Sequence, residues 1–225
     1  MPVTLILLPG LSASRAVFTP QLREFPDLIV PDWPAPLSGE SLAGYAERFA
    51  ASLTRNQPCI LGGMSFGGML AQEMASHLHP LGLVLIATIR GPDQLPRYAK
   101  FGRAFRGLIP WLPIRLLQAL TGVFEWPGIR SWFPVRRILA HQFRFADPEL
   151  FRWSLDQILR WPSAPAVGCP VWQIHGDRDT VLPASNTTPD RLIAGGGHVL
   201  SLTHPADVNQ FLGECLNACS QNRKQ

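Results

Sequence analysis

The sequence is short of charge, of cysteine and of long apolar runs, and each shortage removes a class of protein. Charged residues make up 16% of its 225 positions against 46% hydrophobic. A chain that apolar can bury a core, which excludes disorder everywhere except the polar tail from Ser220 to Gln225. No apolar stretch approaches the ~20 residues needed to span a bilayer as a helix. The opening run from Val3 to Leu8 lacks a basic leader and is too short for the core of an export signal, so a cytoplasmic protein is expected. The four cysteines, Cys59, Cys169, Cys215 and Cys219, carry no zinc-site spacing with histidine. Cys59 and Cys169 adjoin apolar runs, where a thiol behaves as a small hydrophobe. Reduced thiols, no metal and no cofactor are expected. No repeat is visible, which excludes a solenoid, and no nucleic-acid-binding motif accompanies the arginines.

What the sequence does have is a set of short apolar runs, each closed by turn residues. Val3–Leu8 ends at Pro9-Gly10, Leu28–Val30 at Pro31-Asp32, and Cys59–Leu61 runs into Gly62-Gly63. Leu83–Ile86 and Val171–Ile174 are similar, and Arg191–Ala194 is a weaker sixth. Continuous apolar runs of this length suit parallel strands buried on both faces. Helical patterns alternate with them. Ser41–Leu53 opens on a serine cap and carries Leu42, Tyr45, Phe49 and Leu53 at helical spacing. Phe66–Leu78 and Ala206–Leu216 read similarly. The expected fold is therefore α/β, a mostly parallel sheet of about six strands flanked by helices.

Residues 88–165 break the alternation. They hold five of the seven tryptophans, seven of the twelve phenylalanines and several prolines. That is too long for a structureless loop. It predicts a helical cap of residues 88–165 inserted into a core formed by 1–87 and 166–225. Twelve of the twenty basic residues and five of the sixteen acidic ones also fall there, giving the segment +7 and the remainder −3. A basic cap on a slightly acidic body suggests either an acidic ligand or partner, or a solvated arginine face.

The chemistry centres on Gly63-Met-Ser65-Phe-Gly67, which follows a strand and precedes a helix. A nucleophile elbow needs that setting: the serine sits on a sharp turn, and glycines on either side let the backbones close up. Fewer than roughly one chain in ten of this composition would carry the pattern by chance. A phosphate-binding loop would require a Lys-Ser/Thr pair that is missing. The helix behind Ser65 offers N–H groups to a developing oxyanion. A serine hydroxyl needs a base. Of the six histidines, His198 follows three glycines just past the last strand and is best placed to reach over the sheet edge. His175 closes a strand, where local hydrogen bonds would pin it. An acid between nucleophile and base comes from His175-Gly-Asp-Arg-Asp179, which leaves Asp177 and Asp179 as candidates and Asp93 as a more distant one.

With these residues in order, the sequence resembles the α/β-hydrolase superfamily over nearly its whole length. The order Ser65, Asp179, His198 is that family's triad order. His175-Gly-Asp-Arg-Asp179-Thr-Val-Leu-Pro183 is similar to the family segment whose aspartate is the triad acid, so the resemblance selects Asp179. Gly197-His198 followed by His204-Pro205 is similar to the family's terminal block. The resemblance also implies an oxyanion hole from the N–H groups of Phe66 and Leu11. Pro9 stands where many relatives have histidine. The family's N-terminal hairpin is not represented before the first strand, so a reduced sheet is expected. Asp32-Trp-Pro-Ala-Pro-Leu-Ser38 replaces a glycine-rich stretch. The implied activity is hydrolysis of a carboxylic ester or thioester of a small molecule, with Trp33, Trp111 and Phe143 as substrate-binding candidates. Two alternatives follow from the same resemblance. One is an esterase acting on acyl groups held by an acidic carrier protein, docked by Arg136, Arg137, Arg144 and Arg152, with Arg103 and Arg106 as a second cluster. The other is a ligand-binding homologue of negligible turnover.

Overall fold

The computed structural model describes residues 3–53, 57–121, 134–162 and 165–222, the side chains of 134–137 and 222 excepted. Five parallel strands form one sheet in sequential order: β1 (Thr4–Leu8), β2 (Cys59–Met64), β3 (Gly82–Ile86), β4 (Val171–Gly176) and β5 (Arg191–Ile193). Leu5 pairs with Ile60, Leu61 with Leu83, and Leu83 with Val171.

The run Leu28–Val30 does not become a full sixth strand. Ile29 makes a single parallel bridge to Ile6, its N–H donating to the Leu5 carbonyl and its carbonyl accepting from Leu7 N–H, both at 2.9 Å. Pro26 and Pro31 bracket it, and a proline has no N–H to extend the ladder. It therefore remains a one-residue edge on the outside of β1.

Successive strand residues face opposite sides of the sheet, and two cores result. Ile6, Leu8, Leu61, Leu83 and Leu85 pack under α2 (Leu42–Ser52) and α3 (Phe66–Leu78). Leu5, Leu7, Ile60, Val84 and Ile86 form the other core, with Phe18 just before α1 (Thr19–Glu24) and Phe211 and Leu212 near the C-terminus. Ser41 caps α2 as expected, its Oγ accepting from Gly44 N–H at 3.1 Å.

Between β3 and β4 the chain leaves the sheet. It forms α4 (Arg97–Gly102), a 3-10 stretch (Arg103–Trp111), α5 (Ile114–Leu120), α6 (Pro134–Phe145) and α7 (Pro148–Arg160). Several hydrogen bonds tie this excursion to the core, and four of them come from its last two helices and the residue that follows them. Gln142 Oε1 accepts from Ser14 N–H (2.7 Å) and Gln157 Oε1 from Leu42 N–H (2.9 Å). Trp153 Nε1 donates to the Glu40 carbonyl (2.8 Å) and the fully buried Trp161 to Glu73 (2.7 Å). After β5, α8 (Leu200–Thr203) and α9 (Pro205–Asn222) close the chain. Among the described residues no helix is long and apolar enough to cross a membrane. None of their His, Cys, Asp or Glu side chains cluster to hold a metal ion.

Candidate active site

The turn between β2 and α3 holds Ser65 at φ 54°, ψ −123°, a conformation that costs a non-glycine residue of order 1–3 kcal/mol. The surroundings fix it there. Ser65 N–H donates to the Ile86 carbonyl at 3.0 Å, and the Ser65 carbonyl accepts from Thr88 Oγ1 at 2.6 Å. The flanking glycines are required by contact. A Cβ on Gly63 would lie 2.3 Å from the Gly67 carbonyl group, and one on Gly67 would lie 2.1 Å from the Pro9 carbonyl oxygen.

β4 and β5 deliver the other two groups. His198 Nδ1 lies 2.8 Å from Asp179 Oδ2, and His198 Nε2 lies 2.9 Å from Ser65 Oγ. Asp179 is only 4% exposed. Burial alone would raise its carboxyl, but hydrogen bonds from His175 and His198, with the Leu182 N–H, outweigh burial and hold it well below the ordinary carboxylate range. An ionised carboxylate only accepts hydrogen bonds, so His198 Nδ1 carries the proton and Nε2 turns its lone pair to the Ser65 hydroxyl. Asp179 Oδ1 is occupied by the N–H groups of Val181 (2.8 Å) and Leu182 (2.9 Å), which keeps Oδ2 for the histidines.

The competing acid serves differently. Asp177 Oδ1 accepts from Gly195 N–H at 2.7 Å and so braces the glycine loop that carries His198. His175 is fully buried at the end of β4. Its Nε2 lies 2.7 Å from the Leu182 carbonyl oxygen and 3.2 Å from Asp179 Oδ2. Both neighbours are acceptors, so Nε2 bears the proton, and the local pinning expected for this residue acts on the acid itself.

Beside the elbow lies a cavity of about 1020 Å³ between core and cap. Leu11, Trp33 and Phe66 line it from the core, and Ile138, Gln142 and Phe145 from α6. Ser65 and His198 are not among its lining residues, but both expected oxyanion donors are. The Phe66 N–H opens α3, where a helix has no internal partner for it. Neither it nor the Leu11 N–H is bonded to a backbone carbonyl among the described residues. Trp33 stacks on Phe66 with ring centroids 5.7 Å apart.

Two expected substrate contacts fall elsewhere. Trp111 is 83% exposed on the outside of the cap. Phe143 packs against Phe151 with ring centroids 5.3 Å apart and lies outside the cavity wall. Which side of its segment faces inward is set by packing for each of them, and an aromatic count does not reveal it. Two wall residues escaped the sequence reading. Ser12, at φ 58°, has a buried hydroxyl without a partner among the described residues, and so does the Nε2 of Gln142, whose Oε1 is taken by Ser14. The usable signal for Gln142 was its place between Ile138 and Phe145, a polar side chain on an apolar helix face.

A model of the Alpha/beta hydrolase family matches residues 5–211. The chain belongs to that family. This α/β-hydrolase is similar in structure to a thermophilic esterase from Thermogutta terrifontis (malate bound), with TM-score 0.75, 21% identity, and 97% of this chain and 91% of that one covered. It is also similar to MenH from S. aureus (TM-score 0.72, 18% identity, 97% and 94% covered). A Bacillus megaterium epoxide hydrolase follows (0.69, 13%, 96% and 94%). At these identities the likeness carries the fold. Comparison with curated protein sequences finds no match.

Proposed function

We propose that this α/β-hydrolase cleaves a carboxylic ester or thioester through an acyl-enzyme on Ser65. The observation that carries the reading is the unbroken line Ser65 Oγ, His198 Nε2, His198 Nδ1, Asp179 Oδ2, with both links under 3 Å. His198 takes the Ser65 proton as Oγ attacks the carbonyl carbon. The N–H groups of Leu11 and Phe66 receive the charge gathering on the carbonyl oxygen. Collapse expels the alcohol or thiol, which takes the proton back from His198. Water then repeats the sequence on the acyl-enzyme and releases the acid. Asp179 holds the imidazole tautomer throughout and stabilises the imidazolium, without itself becoming protonated. The nucleophile, base, orienting acid and oxyanion donors in these steps all belong to this chain, and water is the second substrate.

The likeness to an epoxide hydrolase carries the fold and not the reaction. Water attack through a serine acyl-enzyme needs an acyl substrate, and Ser65 occupies the elbow. The test combines a fluorophosphonate probe with a chain-length panel of p-nitrophenyl esters and acyl thioesters. Wild type should label at Ser65 and turn over at least one member. Ser65→Ala should lose labelling and fall by ~10⁴ or more in turnover, with thermal stability unchanged or slightly raised as the turn relaxes. Turnover above about one percent in that variant would remove Ser65 from the role.

A further inference from the structure

The outer side of residues 97–120 is inverted relative to an ordinary protein surface. Eight of the thirteen large hydrophobic side chains exposed among the described residues lie in this stretch, including Phe101, Phe105, Leu108, Trp111, Leu116 and Leu120. The inward side is scarcely more apolar. Ile109 and Ile114 are buried, and beside them Gln118 donates to the carbonyls of Phe143 and Ala146, both at 2.8 Å. Arg97, Lys100, Arg103, Arg106 and Arg115 are interleaved with the exposed apolar groups and are themselves exposed. No acidic residue occurs from Gln94 to Phe124, and none of the five cations pairs with a carboxylate among the described residues. An exposed apolar concentration of this kind marks an interaction surface.

We propose that this face rests on an anionic lipid surface. Phenylalanine, leucine and Trp111 would enter the boundary between headgroups and acyl chains, while the arginine heads reach the phosphate layer on their apolar stems. A second copy of the chain fits poorly, because a two-fold contact would set five uncompensated cations against five more. An acidic carrier protein would satisfy the charge. It would also have to offer a matched pocket for each outward ring on three short, successive segments, whereas a lipid boundary accepts any relief. Of the arginines expected to receive a carrier first, the side chains of Arg136 and Arg137 lie outside the described residues. Arg152 turns inward, donating to the Leu112 carbonyl at 2.8 Å. The lipid-facing surface is one helix from the cavity: α5 packs on α6, and α6 supplies Ile138, Gln142 and Phe145 to the cavity wall. A protein seated this way draws its ester from the lipid phase.

The experiment is co-sedimentation of the Ser65→Ala protein with vesicles of phosphatidylcholine, alone or containing roughly a quarter phosphatidylglycerol, at low salt and at ~1 M salt, where the Debye length is ~3 Å. Binding to the anionic vesicles should exceed binding to the neutral ones about tenfold and fall with salt. Phe105→Ser with Trp111→Ser should weaken it about tenfold at either salt, and a melting curve will report whether that variant is folded. Arg103→Glu with Arg106→Glu should abolish the anionic preference. The proposal is overturned if wild-type surface residues give no vesicle binding, or if the Phe105 and Trp111 changes leave it intact. It is equally overturned if an immobilised acidic acyl-carrier protein retains the protein while vesicles do not, or if the same changes merely turn a dimer into a monomer. Binding is read on the Ser65→Ala protein, so failure of the esterase reading would leave this result untouched.

Discussion

The elbow and the outer cap are built on opposite rules. Around Ser65 the backbone closes to contacts that only glycine permits, and strained φ values occur at Ser12, Ser65 and Ala87. Polar groups there are aligned and, along the line from Ser65 to Asp179, fully partnered. Between Arg97 and Leu120, short helices turn apolar groups outward, and a Cβ on Gly107 would meet nothing within 4 Å. One region brings backbone and polar atoms to contacts that leave no room for a methyl group. The other presents a surface that tolerates imprecision. On the reading proposed above, chemistry belongs to the sheet edge and selection of what reaches it to the cap.

The largest test of that contrast falls on the acid. Asp179→Asn keeps the size of the side chain, and its oxygen stays with the Val181 and Leu182 N–H groups. Its amide then faces His198 Nδ1 and forces the tautomer whose Nε2 proton points at Ser65. Turnover should fall by ~10⁴, whereas Asp177→Asn keeps an acceptor for Gly195 N–H and should stay within about tenfold. The reverse ranking in steady-state kinetics would hand the role to Asp177. The same residue predicts a pH effect. Its carboxyl titrates lower in the folded chain than in the unfolded one, so its stabilisation is complete above the unfolded value of ~3.9. It is lost as pH falls through the lower, folded value. The gap in melting temperature between wild type and Asp179→Asn should therefore narrow below about pH 4, and a gap that widens there would contradict the assignment.

Most of this site was legible in the sequence, because an elbow, a glycine loop and a strand-end acid leave local marks. Ser65 needed Gly63 and Gly67, and His198 needed the glycines before it. The choice between Asp177 and Asp179 was not local. It depended on which carboxylate faces the histidine across two strands, and only the resemblance separated them. The strands and their parallel sense were readable from the alternation of runs, but the pairing of Leu28–Val30 stopped at Ile29, between its prolines. Cap aromatics were the least legible. Trp111 follows Pro110 at the end of a 3-10 stretch with no long period, and Phe143 sits on a helix with aromatics on more than one side, so neither advertised its direction.

A smaller effect, on stability, comes from paired glycine substitutions. In Gly67→Ala the new methyl meets the Pro9 and Leu8 carbonyl oxygens at 2.1 and 2.3 Å, both backbone atoms with little freedom to move. The cost should sit at the upper end of overpacking, ~3 kcal/mol, or a fall of roughly 6–12 °C in melting temperature. Turnover should drop as well, because the displaced segment leads to the Leu11 N–H. Gly107→Ala should change stability by no more than ~0.5 kcal/mol. Equal effects at the two positions would erase the distinction between a tight elbow and a permissive cap.

The smallest expected effect lies where the two regions meet. Gln142 Oε1 fastens α6 to Ser14 N–H, while its Nε2 is buried without a partner among the described residues, on a residue that lines the cavity. These two duties separate on substitution. Gln142→Glu keeps an acceptor for Ser14 but removes the only donor, and Gln142→Leu removes both. If the donor meets an acceptor group on the substrate, Gln142→Glu should raise KM by roughly tenfold for esters with a second carbonyl or hydroxyl, about the worth of one buried hydrogen bond. KM for an apolar p-nitrophenyl ester should stay within about twofold, and kcat should hold for both, since the lost contact is made equally in ground and transition states. Gln142→Leu should add a loss of stability of ~1 kcal/mol as Ser14 N–H loses its partner. Parallel KM changes for the polar and apolar esters would mean that Gln142 only pins the cap to the core.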